Sequence, residues 1–227
     1  MTARDWPVAR LNWNPAYRVI PTRFPAVNIF DRVASAQDFE ALFALEALTN
    51  DRVRDEVGVI ELVPPAERLF GPGSGPIMAA FTHPNPAGSR FSDGSYGVFY
   101  CAHDRDTAVA ETRYHSAKFL AATHEAPLRL QMRLYTVKAK GQVVDLRKIA
   151  GELAHVFNPD DYAPGQALGR QVRAHGAAGL AYPSVRRPGG DCLAALRPGL
   201  LSDCLHAAYL EYQWNGAAID AVFARVA

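Results

Sequence analysis

Val98-Phe99-Tyr100-Cys101-Ala102, then His103, then Asp104-Arg105-Asp106-Thr107-Ala108-Val109-Ala110-Glu111-Thr112 is a short apolar and aromatic run that turns into a helical stretch. The run fits a strand. Asp104 stands where an N-cap carboxylate belongs, and the helix behind it is predicted to reach about Ala122. Downstream, Leu128, Leu130, Met132 and Leu134 alternate with Arg129, Gln131 and Arg133, the period of two that marks a strand with one face buried. Further strands are expected at Val143 to Leu146, at Leu180 to Pro183 and Cys192 to Leu196 around a turn at Pro188, Gly189 and Gly190, and at Cys204 to Trp214. The apolar run Ile77 to Phe81 reads as one more, buried strand. Helical spacing of Phe39, Leu42, Phe43, Leu45 and Leu48, with Ser35 and Asp38 placed as a capping box, predicts a helix over Gln37 to Leu48. A second is predicted over Gln166 to His175, stopping near Gly176 and Gly179. Trp6, Pro7, Trp13, Pro15, Pro21 and Pro25 break the opening segment, which leaves room only for a short strand around Ala16 to Ile20. Residues 1 to about 35 are therefore expected to wrap the core. Strands outnumber helices and several are sequential neighbours, so the expected class is α/β of the α+β kind: a single domain, residues 1–227, with a mixed, largely antiparallel sheet.

The bulk composition narrows the function. With 227 residues, 49% hydrophobic and 21% charged, the chain can build one sizeable core, and collagen-like, coiled-coil and wholly disordered readings are excluded. The formal net charge of +1 gives no case for a dominant nucleic-acid or anionic-membrane footprint. Cys101, Cys192 and Cys204 form no CxxC pair and no even-numbered framework, which suits a reducing compartment. No apolar run approaches a membrane span, and Met1 to Asp5 lacks the pattern of a signal peptide, so a cytoplasmic protein without membrane association is expected.

Several motifs lead nowhere. GPGSGP at Gly71 to Pro76 is neither GxxxxGK[ST] nor GxGxxG, and its prolines remove donors that a phosphate cradle needs. His83, Cys101, His103, His115 and His124 show no paired ligand spacing, so no metal site is expected. No serine lies in GxSxG, the turn that presents a hydrolase nucleophile. More informative is the helix after Asp104. If Ala110, Tyr114, Ala117, Leu120 and Ala121 form its buried stripe, Glu111, His115 and Lys118 run along the adjoining edge. A carboxylate there can line a cleft and stabilise a developing cation, or be a solvated glutamate paired with His115 or Lys118. Arg18, Arg23, Arg90, Arg186 and Arg187 lie in or beside Pro/Gly-rich loops, where guanidinium forks could grip a diphosphate or sit on the surface as ordinary arginines. Ser184, after Tyr182-Pro183, offers a hydroxyl to a sugar or a carboxylate, or serves a turn.

In their order these segments resemble the RES-domain family, toxins of bacterial RES–Xre toxin–antitoxin pairs named for an arginine, a glutamate and a serine. Tyr17-Arg18-Val19 is similar to the family's YR strand, Gly88-Ser89-Arg90-Phe91-Ser92 to its GGRWN loop, Val98 to Ala102 to its YLA-type strand, Ala110-Glu111 to its AE pair and Tyr182-Pro183-Ser184 to its PS segment. Ser89, Phe91 and Ser92 depart from the expected Gly, Trp and Asn. The resemblance implies an ADP-ribosyltransferase-like fold and an enzyme that consumes NAD by hydrolysis or phosphorolysis of its nicotinamide bond, or that transfers ADP-ribose to a protein acceptor. It implies catalytic roles for Arg18, Glu111 and Ser184, NAD contacts from Arg18, Arg90, Tyr100 and Ser184, no metal, and an Xre-like antitoxin through which alone the chain touches DNA. A non-catalytic NAD-binding module is the alternative from another class, and a metal-independent nuclease is less favoured.

Overall fold

The computed structural model describes residues 6–24, 26–46 and 55–225. Among them, seven strands form one sheet: β1 (Val8–Pro21), β2 (Phe99–Ala102), β3 (Leu128–Asp145), β4 (Gly179–Pro183), β5 (Asp191–Ala195), β6 (Leu201–Trp214) and β7 (Ile219–Arg225). Their order is β1-β2-β5-β4-β3-β6-β7, and an additional β1–β3 ladder closes the first five into a ring. Every pairing is antiparallel except β3 with β4, so the expected mixed, largely antiparallel sheet is present. β1 and β2 meet at one residue pair, Tyr17 and Ala102. The ring is thinnest there.

The opening segment departs most from the sequence reading. It is a 14-residue strand laddered to β3 from Val8 opposite Val144 to Pro21 opposite Met132. Pro15 is tolerated because the register shifts between Trp13 and Ala16, so the missing amide falls at an irregularity, and Pro21 ends the strand. Leu11, Trp13, Ala16 and Val19 supply the buried side chains that prolines alone would not predict. β3 is likewise one strand of 18 residues, since Val137, Ala139 and Val143 continue the buried alternation past exposed Lys138 and Lys140, and Leu146 begins the 3₁₀ segment Leu146–Phe157. β7 was not foreseen.

Ile77 to Phe81 is not a strand. It belongs to a helix over Gly75–Thr82 (α2), with Pro76 in its first turn and Ile77, Met78 and Phe81 all buried. A short helix whose half-buried positions are Pro76, Ala79 and Ala80 has no charged face, so its apolar run carries no period that separates it from a buried strand. The first helix, α1, spans Ala36–Glu46; the Asp38 amide donates to Ser35 Oγ, as the capping pattern foretold, and the expected end at Leu48 lies outside the described residues. GPGSGP is a turn whose Gly73 and Gly75 amides donate to the Asp31 carboxylate.

Asp104 caps α3 (Arg105–Ala122) as read: the Thr107 amide donates to its carboxylate at 2.9 Å, and the Thr107 hydroxyl does so at 2.7 Å. Asp104→Ala is expected to lower stability by about 1–2 kcal/mol, seen as a lower urea midpoint with an unchanged denaturant slope. The last helix, α4 (Ala163–Ala174), also agrees with the reading, ending at Gly176, whose φ of 81° is open to glycine.

The central strands are buried on both faces. On β5, Leu193 and Ala195 pack with Phe30, Phe39, Met78, Phe81 and Phe99, while Cys192 and Ala194 pack with Phe91, Val172, Leu180, Tyr212 and Trp214. The period of two thus sorts side chains into two cores, one under α1 and α2 and the other under α3 and α4.

Candidate functional site

A cavity of ≈ 420 Å³ opens beside the thin point of the ring, between Tyr17 to Ile20 of β1, Tyr100 to Ala102 of β2, the first turns of α3 and the 88–90 loop. Arg18, Arg90, Tyr100 and Glu111 all border it. Residues from four separate elements, foreseen one by one, therefore share one concave site of a size usual for small-molecule ligands.

Glu111 faces the cavity because the buried line of α3 runs through Thr107, Ala108 and Leu120, with half-buried Thr112 beside it holding its hydroxyl 2.7 Å from Tyr212 Oη. The expected stripe holds at Leu120, which is buried, and fails at Ala121, which is exposed, and at Tyr114, which reaches outward to Asp160. Lys118 pairs with Asp160 rather than with Glu111. The partner of Glu111 is Ser184, whose Oγ donates to Oε1 at 2.6 Å. The direction of that bond follows from valence: the amides of Arg186 and Arg187 donate to Ser184 Oγ at 3.1 and 3.0 Å, so the lone pairs are used and the single hydroxyl hydrogen is left for the carboxylate. Ser184 follows β4, where its own amide donates to Gly190 O across the β4–β5 turn. Among the described residues no hydrogen bond occupies Glu111 Oε2, which is left for a ligand. Cys192 Sγ lies 3.9 Å from Oε1, and burial pushes that thiol's pKa far up, so it stays protonated beside the carboxylate.

Arg18 is on strand β1, not in a loop. Its Nη1 donates to Tyr100 O at 2.9 Å, and its guanidinium lies 4.3 Å from the Phe99 ring centroid. Among the described residues its buried Nε has no hydrogen-bond partner, and burial lowers its pKa below the ordinary arginine value. A cation in a desolvated wall favours an anionic ligand. Arg90, 8% exposed, is fixed by donating Nη1 to Val156 O and Asn158 O at 2.9 Å each and by stacking 4.7 Å from the Tyr162 ring centroid. Its loop lies close to α4 because Gly165 and Gly169 present no side chain there; a Cβ on Gly169 would come within 2.1 Å of Phe91 O.

Tyr100 Oη is 2.8 Å from Ser89 Oγ and accepts from the Phe91 amide at 3.0 Å, while burial pushes its phenol up to about 12. It pins the loop that carries Arg90 and offers its ring to the cavity. Ser92 donates to Tyr96 O and accepts from the Gly94 amide, so it is spent inside its own loop. The other three arginines do not border this cavity: Arg186 bonds Pro159 O and stacks on Tyr114, Arg187 pairs with Asp104, and Arg23 stacks on Phe24 and Phe119. Tyr17, Tyr162, Tyr182 and Cys192 join the lining without having been singled out as site residues. Tyr182 and Cys192 are neighbours only through the β4–β5 register, which becomes visible once the strands are paired. Among the described residues no group of three or more His, Cys, Asp or Glu could hold a metal, and no helix is long and apolar enough to cross a membrane.

Comparison with known proteins adds three matches. Residues 65–215 match the RES domain model. The uncharacterized protein y4oC of Sinorhizobium fredii is 34% identical over 210 residues, covering 92% of this chain and 86% of that protein. The crystal structure of the M. tuberculosis MbcT-MbcA toxin-antitoxin complex aligns at a TM-score of 0.43 and 15% identity, covering 92% of this chain and 88% of that one.

Proposed function

The chain belongs to the RES-domain family, and from that premise we propose that it is an NAD-consuming toxin of a toxin–antitoxin pair that cleaves the nicotinamide–ribose bond in the cavity bordered by Arg18, Arg90 and Glu111. The observation that carries this reading is the Glu111 carboxylate, held by Ser184 at 2.6 Å and facing the same cavity as two arginines. Breaking the bond returns its electron pair to the cationic nicotinamide nitrogen and leaves positive charge on the ribose. A fixed carboxylate with one free oxygen can hold the ribose hydroxyls and stabilise that charge. Arg18 and Arg90 offer the diphosphate its counter-charge, and the Tyr100 ring offers a surface to nicotinamide or ribose. The nucleophile then adds to the ribose: water gives ADP-ribose, phosphate gives ADP-ribose-1″-phosphate, and an acceptor protein gives an ADP-ribosylated side chain.

The near-neutral charge supports a small-molecule substrate reached through a local basic pocket. The family reading brings with it an ADP-ribosyltransferase-like fold, a cytoplasmic setting and an Xre-like antitoxin that covers the pocket. Mass spectrometry of NAD incubated with the purified chain, with and without phosphate and with candidate acceptor proteins, tests the reading and separates its three forms. Intact NAD in every arm would overturn the enzyme and leave a binding module.

Ser184→Ala removes a hydrogen bond to a charged group, worth about 1.5–3 kcal/mol. Turnover is expected to fall roughly 10- to 100-fold, mainly in kcat. Wild-type kcat in this variant would show that Ser184 does not position Glu111.

A further inference from the structure

His115 lies one turn beyond Glu111 on α3 and borders the same cavity. With Thr112 it also borders a smaller cavity of ≈ 190 Å³, whose other walls include Arg23, Phe119, Leu130 and Met132. It therefore stands in the wall common to the carboxylate's cavity and a second opening. The ring is in edge contact with Tyr114 and Tyr162, at centroid distances of 5.4 and 6.4 Å. Among the described residues no hydrogen bond occupies either ring nitrogen, so both are available to a small molecule. Glu111, by contrast, is committed to Ser184 at one oxygen and, in the reading above, to the ribose at the other.

We propose that His115 is the general base of the reaction: it takes the proton from the water that attacks the ribose, with the smaller cavity as the path by which that water arrives. This inference rests on the NAD-cleaving reading. The water oxygen bonds to ribose C1″ as the C1″–N bond breaks, the electron pair returns to the nicotinamide ring, and the proton passes to His115 and then to solvent. A histidine does this only when neutral. Although the residue as a whole is exposed, desolvation at the cavity wall lowers its pKa from the ordinary 6.5. The neighbouring Glu111 charge raises it, while Arg186, Arg90 and Lys118 lower it. The remaining groups around it are Tyr114 on α3, Tyr162 before α4 and, across the smaller cavity, Arg23. The net direction favours the neutral base at pH 7.

The test uses the partition between two nucleophiles. Azide is already an anion and needs no base, whereas water does, so wild type and His115→Gln are incubated with NAD and a fixed azide concentration and the ratio of azido-ADP-ribose to ADP-ribose is measured. The ratio is expected to rise at least about tenfold in the variant, and the acid limb of the wild-type pH profile to disappear. A ratio equal to wild type would overturn the assignment, because a purely structural loss lowers both products together. If wild-type protein leaves NAD intact, the NAD-cleaving reading fails and the base assignment falls with it, an outcome distinct from two products in an unchanged ratio.

Discussion

Glu111→Gln is expected to reduce NAD cleavage by about 10²- to 10³-fold while the protein stays folded. The amide keeps the size of the carboxylate and can still accept from Ser184 through its carbonyl oxygen, so the Ser184 turn and its amide bonds to Arg186 and Arg187 are preserved. What is lost is the negative charge facing the ribose as it becomes cationic. Its effect is large because the flanking thiol of Cys192 and phenol of Tyr182 are both held neutral by burial, so nothing nearby replaces the charge. KM is expected to change little, since Arg18 and Arg90 remain to hold the diphosphate. Steady-state release of nicotinamide measures both quantities. Wild-type kcat in the variant would remove Glu111 from the chemistry.

Arg147→Ala is expected to be the most damaging single change to stability outside the apolar cores. Arg147 donates Nε to Asp145 at 2.7 Å and Nη1 to Asp191 at 2.6 Å. Asp145 ends β3 and is 2% exposed, Asp191 begins β5, and β4 lies between the two strands, so one guanidinium clamps three strands just ahead of Ser184. Removing it leaves a buried carboxylate without its cation, at a cost of about 3–5 kcal/mol and a fall in Tm of roughly 10 °C. Burial pushes the Asp145 pKa up, and the hydrogen bonds and charge of Arg147 more than offset this, so the carboxyl sits below its ordinary 3.8. A depressed folded-state pKa means that the contribution is present above the unfolded value and is lost as pH falls through the folded one. In the variant only the amide of residue 147 and the charge of Lys148 still oppose burial, so the carboxyl takes up a proton at a higher pH than in the wild type. The stability gap between variant and wild type is therefore expected to narrow between about pH 7 and pH 4.5. Thermal melts at both values would show it, and a gap of constant width would refute the assignment.

How much of this was legible in the sequence depended on whether the signal was local. The strand before α3, the Asp104 cap and the β4–β5 hairpin could be read because period, cap and turn lie within a few residues of one another. Of β1 only the stretch from Ala16 to Ile20 could, because Pro15 forbids a regular ladder and only the partner strand supplies the register shift that accommodates it. α2 could not, because it has no charged face to set a period. For the site, Arg18, Arg90, Glu111 and Ser184 were named through the order of weak motifs. That Ser184 donates its hydrogen bond to Glu111 depends on two backbone amides in the β4–β5 turn, and that His115 looks into two cavities depends on where β1 and β3 run. These are facts of the closed ring, written in no single stretch of chain.

The central claim is that the nicotinamide ribose of NAD lies against residue 111, and a crystal structure of Glu111→Gln grown with NAD tests it most directly. Intact NAD is expected in the cavity between β1, β2 and α3, with ribose hydroxyls within hydrogen-bond distance of the side chain at position 111 and the diphosphate against Arg18 and Arg90. NAD bound elsewhere, or with its adenosine end at position 111, would contradict it.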